Sequence, residues 1–367
     1  MLTDMLGNID ALWHCGSQAA RVRFLLRAAA VFGAAYTGVR LKQVKSYPVG
    51  FEEIYHMYPM DFEEYIIANG VQQKTIDYLH KCFDENTSVS ESVHNTMLKL
   101  FYSYIVVGGM PAVVSTYVET HDIGKVVEMQ REIIELYRLD ISQYAAGNDK
   151  IKIAAIYDSI PSQLNDKNRR FILAKIDENG RQLRYENSFE WISDAGFALP
   201  CCNVTEPQLP LSLNSKHSLF KLFMGDTGLL CAACMENIQF DILKGNVEIN
   251  LGSILENVMA RELKCKGFEL YYYDSKKYGE LDFVVQNGMN AELIEVKSGN
   301  DYKKHNALDR IRSVDEWDFG KSVVFCKGNV QIDDVIYLPW YMIMFYKRDE
   351  PDRDMTFEID LSDLDKM

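Results

Sequence analysis

The chain has 367 residues, 47% of them apolar and 25% charged, and a formal net charge of −14. That composition is globular and excludes a disordered chain. The acidity argues against a generally adhesive nucleic-acid binder while leaving room for a local basic patch. At roughly 150 residues per domain, two or three domains are expected.

The start, "MLTDMLGNID", lacks a basic segment followed by an apolar one, so no signal peptide is read there. Together with 8 Cys in so long a chain, this reads as a reduced, cytoplasmic protein. The longest apolar run, "FLLRAAAVFGAAY", is broken by Arg27 and falls short of the ~20 residues that span a bilayer, so no membrane association is expected. Turn-rich "YPVGFEE" follows, and residues 1–57 show no dominant period. From "YPMDFEEYIIANG" to about Leu139 the apolar spacing is helical, in "TIDYLHKCF", "SESVHNTMLKLFYSYIVV" and "IGKVVEMQREIIELYRLDI". Gly108-Gly109 ends one of these helices and Pro111 opens the next.

Residues 150–215 change character. The helix "IKIAAIYDSIPSQL", the basic "DKNRRFILAKID", the helix "ENSFEWISDAGF" and an extended pair in "ALPCCNVTEPQLPLSL" suggest a winged helix. From about Leu219 the pattern turns mixed α/β. It runs through strand "SLFKLFMGD", helix "LGSILENVMARELKCKG", strand "ELYYYDS" and a hairpin in "GELDFVVQNGMNAELIEVKSG". Helix "DYKKHNALDRIRSV" and strands "KSVVFCKG" and "VIYLPWYMIMFY" complete an αβββαβ order, before the acidic tail "KRDEPDRDMTFEIDLSDLDKM".

The hairpin carries three charges where a core would take Val or Ile: Asp282, Glu295 and Lys297. Alternation puts Glu295 and Lys297 on one face, and a hairpin register can bring Asp282 beside Glu295. Two converging carboxylates repel unless a cation sits between them. Few, hard oxygen ligands are what Mg or Mn favours. Lys297 is then placed to position a water attacking a phosphodiester. Glu256, which interrupts the apolar helix face of Leu255, Val258, Met259 and Leu263, is a further candidate carboxylate for catalysis and metal. The competing reading is a solvated strand face with a weak ion pair, and for Glu256 a helix-face pairing with Arg261 or Lys264.

The order helical Glu, strand Asp, then Glu-x-Lys after 13 residues (295 − 282) resembles the PD-(D/E)xK nuclease superfamily. More broadly, "YPVGFEEIYHMYPMDFEEY", "GGMPAVV", "IYDSIPSQL", "LFMGDTGLL", "ENVMARELKCKGFELYYYDSKKYGELDFVV" and "VIYLPWYMIMFY" resemble a bacterial and archaeal family of AAA-type ATPases. Its members carry a C-terminal domain of unknown function with a restriction-endonuclease-like core. The resemblance implies five parts. Residues 1–65 form a truncated remnant of the ATPase core, 66–147 a helical lid, 148–215 a winged-helix-like domain, 216–347 a nuclease-like mixed sheet with flanking helices, and 348–367 the acidic tail. The chain departs from the family in lacking the G-x-x-x-x-G-K-[ST] loop that cradles phosphates. Gly320-Lys321-Ser322 is a decoy, since Asp315 stands where the first Gly belongs. The chain therefore reads as an N-terminally truncated member, and ATP is not an expected ligand.

Lys167, Arg169, Arg170, Lys175, Arg181 and Arg184 form a basic run suited to DNA phosphates, or else a solvated charged face. His305 reads equally as a phosphate contact or an exposed helix start. Cys231-Ala-Ala-Cys234 and Cys201-Cys202 read as small hydrophobes, because the second pair lacks a zinc spacer. Three functions follow: a metal-dependent nuclease acting on DNA; a non-catalytic remnant binding DNA or another protein chain; and an ATPase only if a missing N-terminal half is supplied.

Overall fold

The computed structural model describes residues 57–349, apart from 146, 148, 167–168, 235–237 and 246–250. The readings made for 1–56 and for the tail beyond 349 lie outside the described residues.

Local signals build the helical first half. α1 (Phe62–Ala68) starts in a capping box, with Asp61 accepting from the Glu64 amide and Glu64 accepting from the Asp61 amide. α2 (Gln73–Asp84) turns Ile76, Leu79 and Cys82 inward at three-residue steps. α3 (Glu91–Val107) is buried continuously from Phe101 onward and stops where Gly108 takes φ +75°. A Cβ at Gly108 would lie 2.3 Å from Asp226 Oδ1, so both conformation and space require glycine. Pro111 opens α4 (Pro111–Thr120), and Asp122 caps α5 (Ile123–Tyr144) through the Gly124 and Lys125 amides. α6 (Asp149–Leu164) and α7 (Glu186–Asp194) follow.

Among the described residues the fold is mixed α/β around an eight-stranded sheet of order β2-β1-β3-β4-β5-β6-β8-β7. The strands are β1 (Ala198–Val204), β2 (Ser215–Met224), β3 (Tyr271–Ser275), β4 (Gly279–Asn287), β5 (Asn290–Val296), β6 (Ser322–Cys326), β7 (Gln331–Ile332) and β8 (Ile336–Pro339). α8 (Thr227–Cys234), α9 (Ile238–Leu243) and α10 (Gly252–Cys265) separate β2 from β3, and α11 (Asn306–Arg312) separates β5 from β6. The larger apolar core joins the helices to one side of the sheet. A smaller one packs Leu308 and Ile311 of α11 against Leu281, Val284, Leu293 and Val324. Among the described residues, no helix is long and apolar enough to cross a membrane.

The structure differs from the sequence reading in three elements. The extended pair expected within "ALPCCNVTEPQLPLSL" is β1 alone; its antiparallel partner β2 begins at Ser215, and β1 also runs parallel to β3. In "VIYLPWYMIMFY" the strand ends at Pro339 and residues 340–345 form a buried 3₁₀ helix. An unbroken apolar run cannot distinguish strand from buried helix by period. The helix expected over "DYKKHNALDRIRSV" is confined to α11, because Lys304 closes a turn on the Asp301 carbonyl.

Candidate active-site cleft

Antiparallel pairing of β4 and β5 matches Phe283 with Ile294 and Val284 with Leu293, so one further step sets Asp282 opposite Glu295. The β3–β4 register slips by one between Tyr271↔Val284 and Tyr273↔Leu281, so Asp282 and Phe283 together face Tyr272. Such a bulge re-aims a side chain. Asp282 Oδ2 accepts from the Val296 amide at 2.8 Å, which anchors that carboxylate across the hairpin. Glu295 Oε1 accepts from Lys297 Nζ at 2.5 Å. Glu295 Oε2 is buried with no hydrogen-bond partner among the described residues, on a residue only 5% exposed. Asp282, Glu295 and Lys297 line one cleft of about 420 Å³, together with Arg169, Tyr302 and Lys304. Burial, then the nearby Asp282 charge, pushes the Glu295 carboxyl up to about 8 against the opposing pull of Lys297.

Glu256 is not a solvated helix-face residue. It is buried on α10, with Oε2 3.2 Å from Lys221 Nζ and Oε1 in a tight ion pair with Arg169. The same Arg169 nitrogen lies 4.0 Å from Asp282 Oδ1. Lys221, 0% exposed on β2, also pairs with Glu280 at 2.5 Å and lies 5.0 Å from the Tyr272 ring centre. Sequence reasoning missed Lys221 and Glu280; the available signal was a single Lys inside the apolar strand "LFKLFM".

Three members of the basic run are taken up by carboxylates. Arg169 and Arg170 are engaged by acids, the second by Asp274 of β3, and Lys175 pairs with Asp166. Arg181 and Arg184 are exposed around the single turn Gln182–Arg184. Lys167 lies outside the described residues. His305 is buried instead of exposed, its ring bridging Asp309 Oδ1 and the Tyr337 hydroxyl at 2.7 Å each. Cys201 and Cys231 are buried free thiols whose pKa values are raised by burial.

The residues fit a small divalent cation in part. Asp282 and Glu295, opposite each other in the hairpin register, both line the cleft with hard carboxylate oxygens, and among the described residues Glu295 Oε2 has no hydrogen-bond partner. Glu256 does not complete the set while Arg169 and Lys221 engage both its oxygens. Accordingly, no three His, Cys, Asp or Glu side chains among the described residues converge as a ready metal-holding group.

Two stretches match families known only as domains. Residues 98–239 are similar to a domain of unknown function (DUF8612), and residues 251–343, from the N-cap of α10 into the 3₁₀ helix, to another (DUF4143). No curated protein matches the chain, and no solved structure does.

Proposed function

We propose that the cleft at the β4–β5 hairpin is a divalent-metal-dependent phosphodiesterase site acting on DNA. The observation that carries this reading is the buried, unpartnered Glu295 Oε2 opposite Asp282, with Lys297 beside it. Leaving such an acceptor unsatisfied costs about 1–3 kcal/mol, so its retention calls for a ligand. Asp282 and Glu295 would hold Mg²⁺ or Mn²⁺, which when bound supplies Lewis acidity toward a phosphoryl oxygen. Lys297, held to Glu295 by one of its three N–H donors, keeps others to orient a water or a phosphate oxygen. Lys304 also lines the cleft, in an exposed pair with Asp301 that a phosphate could displace. The ordered Glu, Asp and Glu-x-Lys set of a PD-(D/E)xK nuclease supports the same reading.

A non-catalytic, DNA- or protein-binding remnant is the second reading, favoured by one observation: Glu256 is engaged by two cations. Metal titration with the whole chain separates the two. Mn²⁺ should raise the melting temperature, since a ligand bound only by the folded state stabilises it by mass action. Glu295→Gln should shrink that gain. Lys297→Ala should keep it while abolishing nicking of supercoiled DNA. If the wild-type chain neither gains stability from Mn²⁺ nor nicks supercoiled or branched DNA, the remnant reading takes over.

A further inference from the structure

The geometry points to Arg169 as a built-in occupant of the metal position, a guanidinium that competes with the divalent cation for Glu256 and Asp282. This inference rests on the cleft reading above.

The second reading treats the Arg169–Glu256 pair as evidence against a metal, but the pair has the features of a stand-in. Its guanidinium lies in ion-pair contact with Glu256 Oε1 and 4.0 Å from Asp282 Oδ1, bridging the helical acid to the strand acid. Arg169 also lines the same cleft as the unpartnered Glu295 oxygen. It comes from the loop after α6, where Phe171 is fixed by its amide on the Phe220 carbonyl at 2.9 Å and by stacking on the Phe220 ring. The next residue, Arg170, is fixed by Asp274. The loop is thus pinned to β2 and β3 just beyond Arg169, which delivers the guanidinium to one spot. Arg169 itself takes φ +48°, an unusual conformation for an arginine.

Charge balance argues for exchange over coexistence. With every carboxylate ionised, as a bound cation would keep them, Glu256, Asp282, Glu280 and Glu295 carry four negative charges. Arg169, Lys221 and Lys297 carry three positive ones, leaving one negative. A divalent ion added with Arg169 in place inverts this to one positive charge inside a buried cluster. A divalent ion that replaces Arg169 makes the cluster neutral. Like charges in contact in a low-dielectric site are strongly disfavoured, so the ion and the guanidinium exclude each other. Displacing Arg169 also frees Glu256 Oε1, adding the third oxygen that the resting cleft lacks.

The test is Mn²⁺ binding measured by the paramagnetic resonance signal of free Mn²⁺, on the full chain, with no reliance on cleavage. Arg169→Asn, a residue that tolerates positive φ, should tighten Mn²⁺ binding by about tenfold. Glu256→Gln should change affinity little in the wild-type background and weaken it clearly in the Arg169→Asn background. Arg169→Ala serves as a second variant, and rescue of its folding by Mn²⁺ would count in favour. Equal affinity of wild type and both arginine variants would overturn the competition while leaving the cleft as a metal site. Absence of Mn²⁺ binding by all of them would overturn both. Loss of fold in both variants without rescue by Mn²⁺ would show that Arg169 is a fixed structural cation and overturn the inference alone.

Discussion

Helix α10 serves two buried ionic clusters that look alike in composition and differ in how fully their carboxylates are satisfied. Toward its C-terminal end, every oxygen of Glu262 has a donor. Oε1 accepts from the Phe62 amide at 3.0 Å, the Tyr104 hydroxyl at 2.6 Å and Arg261 at 3.1 Å, and Oε2 accepts from Lys266 at 3.3 Å. Arg261 reaches on to the Pro59 and Met60 carbonyls, and Lys266 to Asp61, clamping the entry of α1 onto α10. Two turns earlier, Glu256 joins a cluster that opens on a cleft and contains the unpartnered Glu295 oxygen. A buried carboxylate saturated with donors and packed without space is a structural tie. One with a missing donor beside a cleft leaves an acceptor that the proposed metal would satisfy. Burial alone distinguishes neither, since both are almost fully enclosed.

That contrast is open to direct breakage. Glu262→Ala should cost most, about 3–5 kcal/mol, because Arg261 and Lys266 are left buried without their carboxylate. Denaturant unfolding reads this, and a loss below about 1 kcal/mol would erase the distinction. Gly109→Ala strikes the same clamp from the other side, placing a Cβ 2.1 Å from the Met60 carbonyl and 2.9 Å from Arg261 Nη2. Overpacking against backbone of this kind should cost about 2–3 kcal/mol by the same measurement.

Next in size is Asp226→Asn, beside the clamp. Burial raises the Asp226 carboxyl from 3.8 to about 6, against the lowering effect of the Gly109, Leu229 and Gly228 amides. A raised folded-state value means that its contribution is complete below the unfolded value and fades as pH rises through the folded one. Wild type should therefore lose part of its stability between about pH 4 and pH 7, and the Asn variant should lose less over that range. The variant also gives up one acceptor, costing about 1–2 kcal/mol near neutral pH. Identical pH slopes of melting temperature in the two proteins would contradict this. The smallest effect is expected in the open cluster, where Glu295→Gln should shift stability without metal by less than about 1 kcal/mol near neutral pH, because a carboxyl raised to about 8 is already largely uncharged there and Gln keeps its shape. A loss as large as that of Glu262→Ala would place Glu295 among the structural ties.

Local rules made much of this molecule legible. Turn punctuation at Gly108 to Pro111, the three- and four-residue apolar steps of α2, α3 and α5, and the αβββαβ order from α10 to β6 are short-range consequences of residue type. The two-residue period of a strand also put Glu295 and Lys297 on one face, and a hairpin closed at Gly288 brings Asp282 opposite Glu295. What tertiary structure alone decided is which charges meet. Lys221 from β2 and Arg169 from the loop after α6 reach Glu256 from far along the chain, and no local period encodes that arrival. The basic run around Arg169 reads in sequence as a DNA-facing surface or a solvated face, because sequence gives charge but not partner; acids of α10 and β3 claim Arg169 and Arg170, while Arg181 and Arg184 are exposed. The parallel pairing of β1 with β3 and the coiling of residues 340–345 into a 3₁₀ helix were likewise settled by packing, where long-range burial overrides local preference. Residue order determined the elements and the face each charge occupies; the fold determined whether each buried charge met a partner or a cleft.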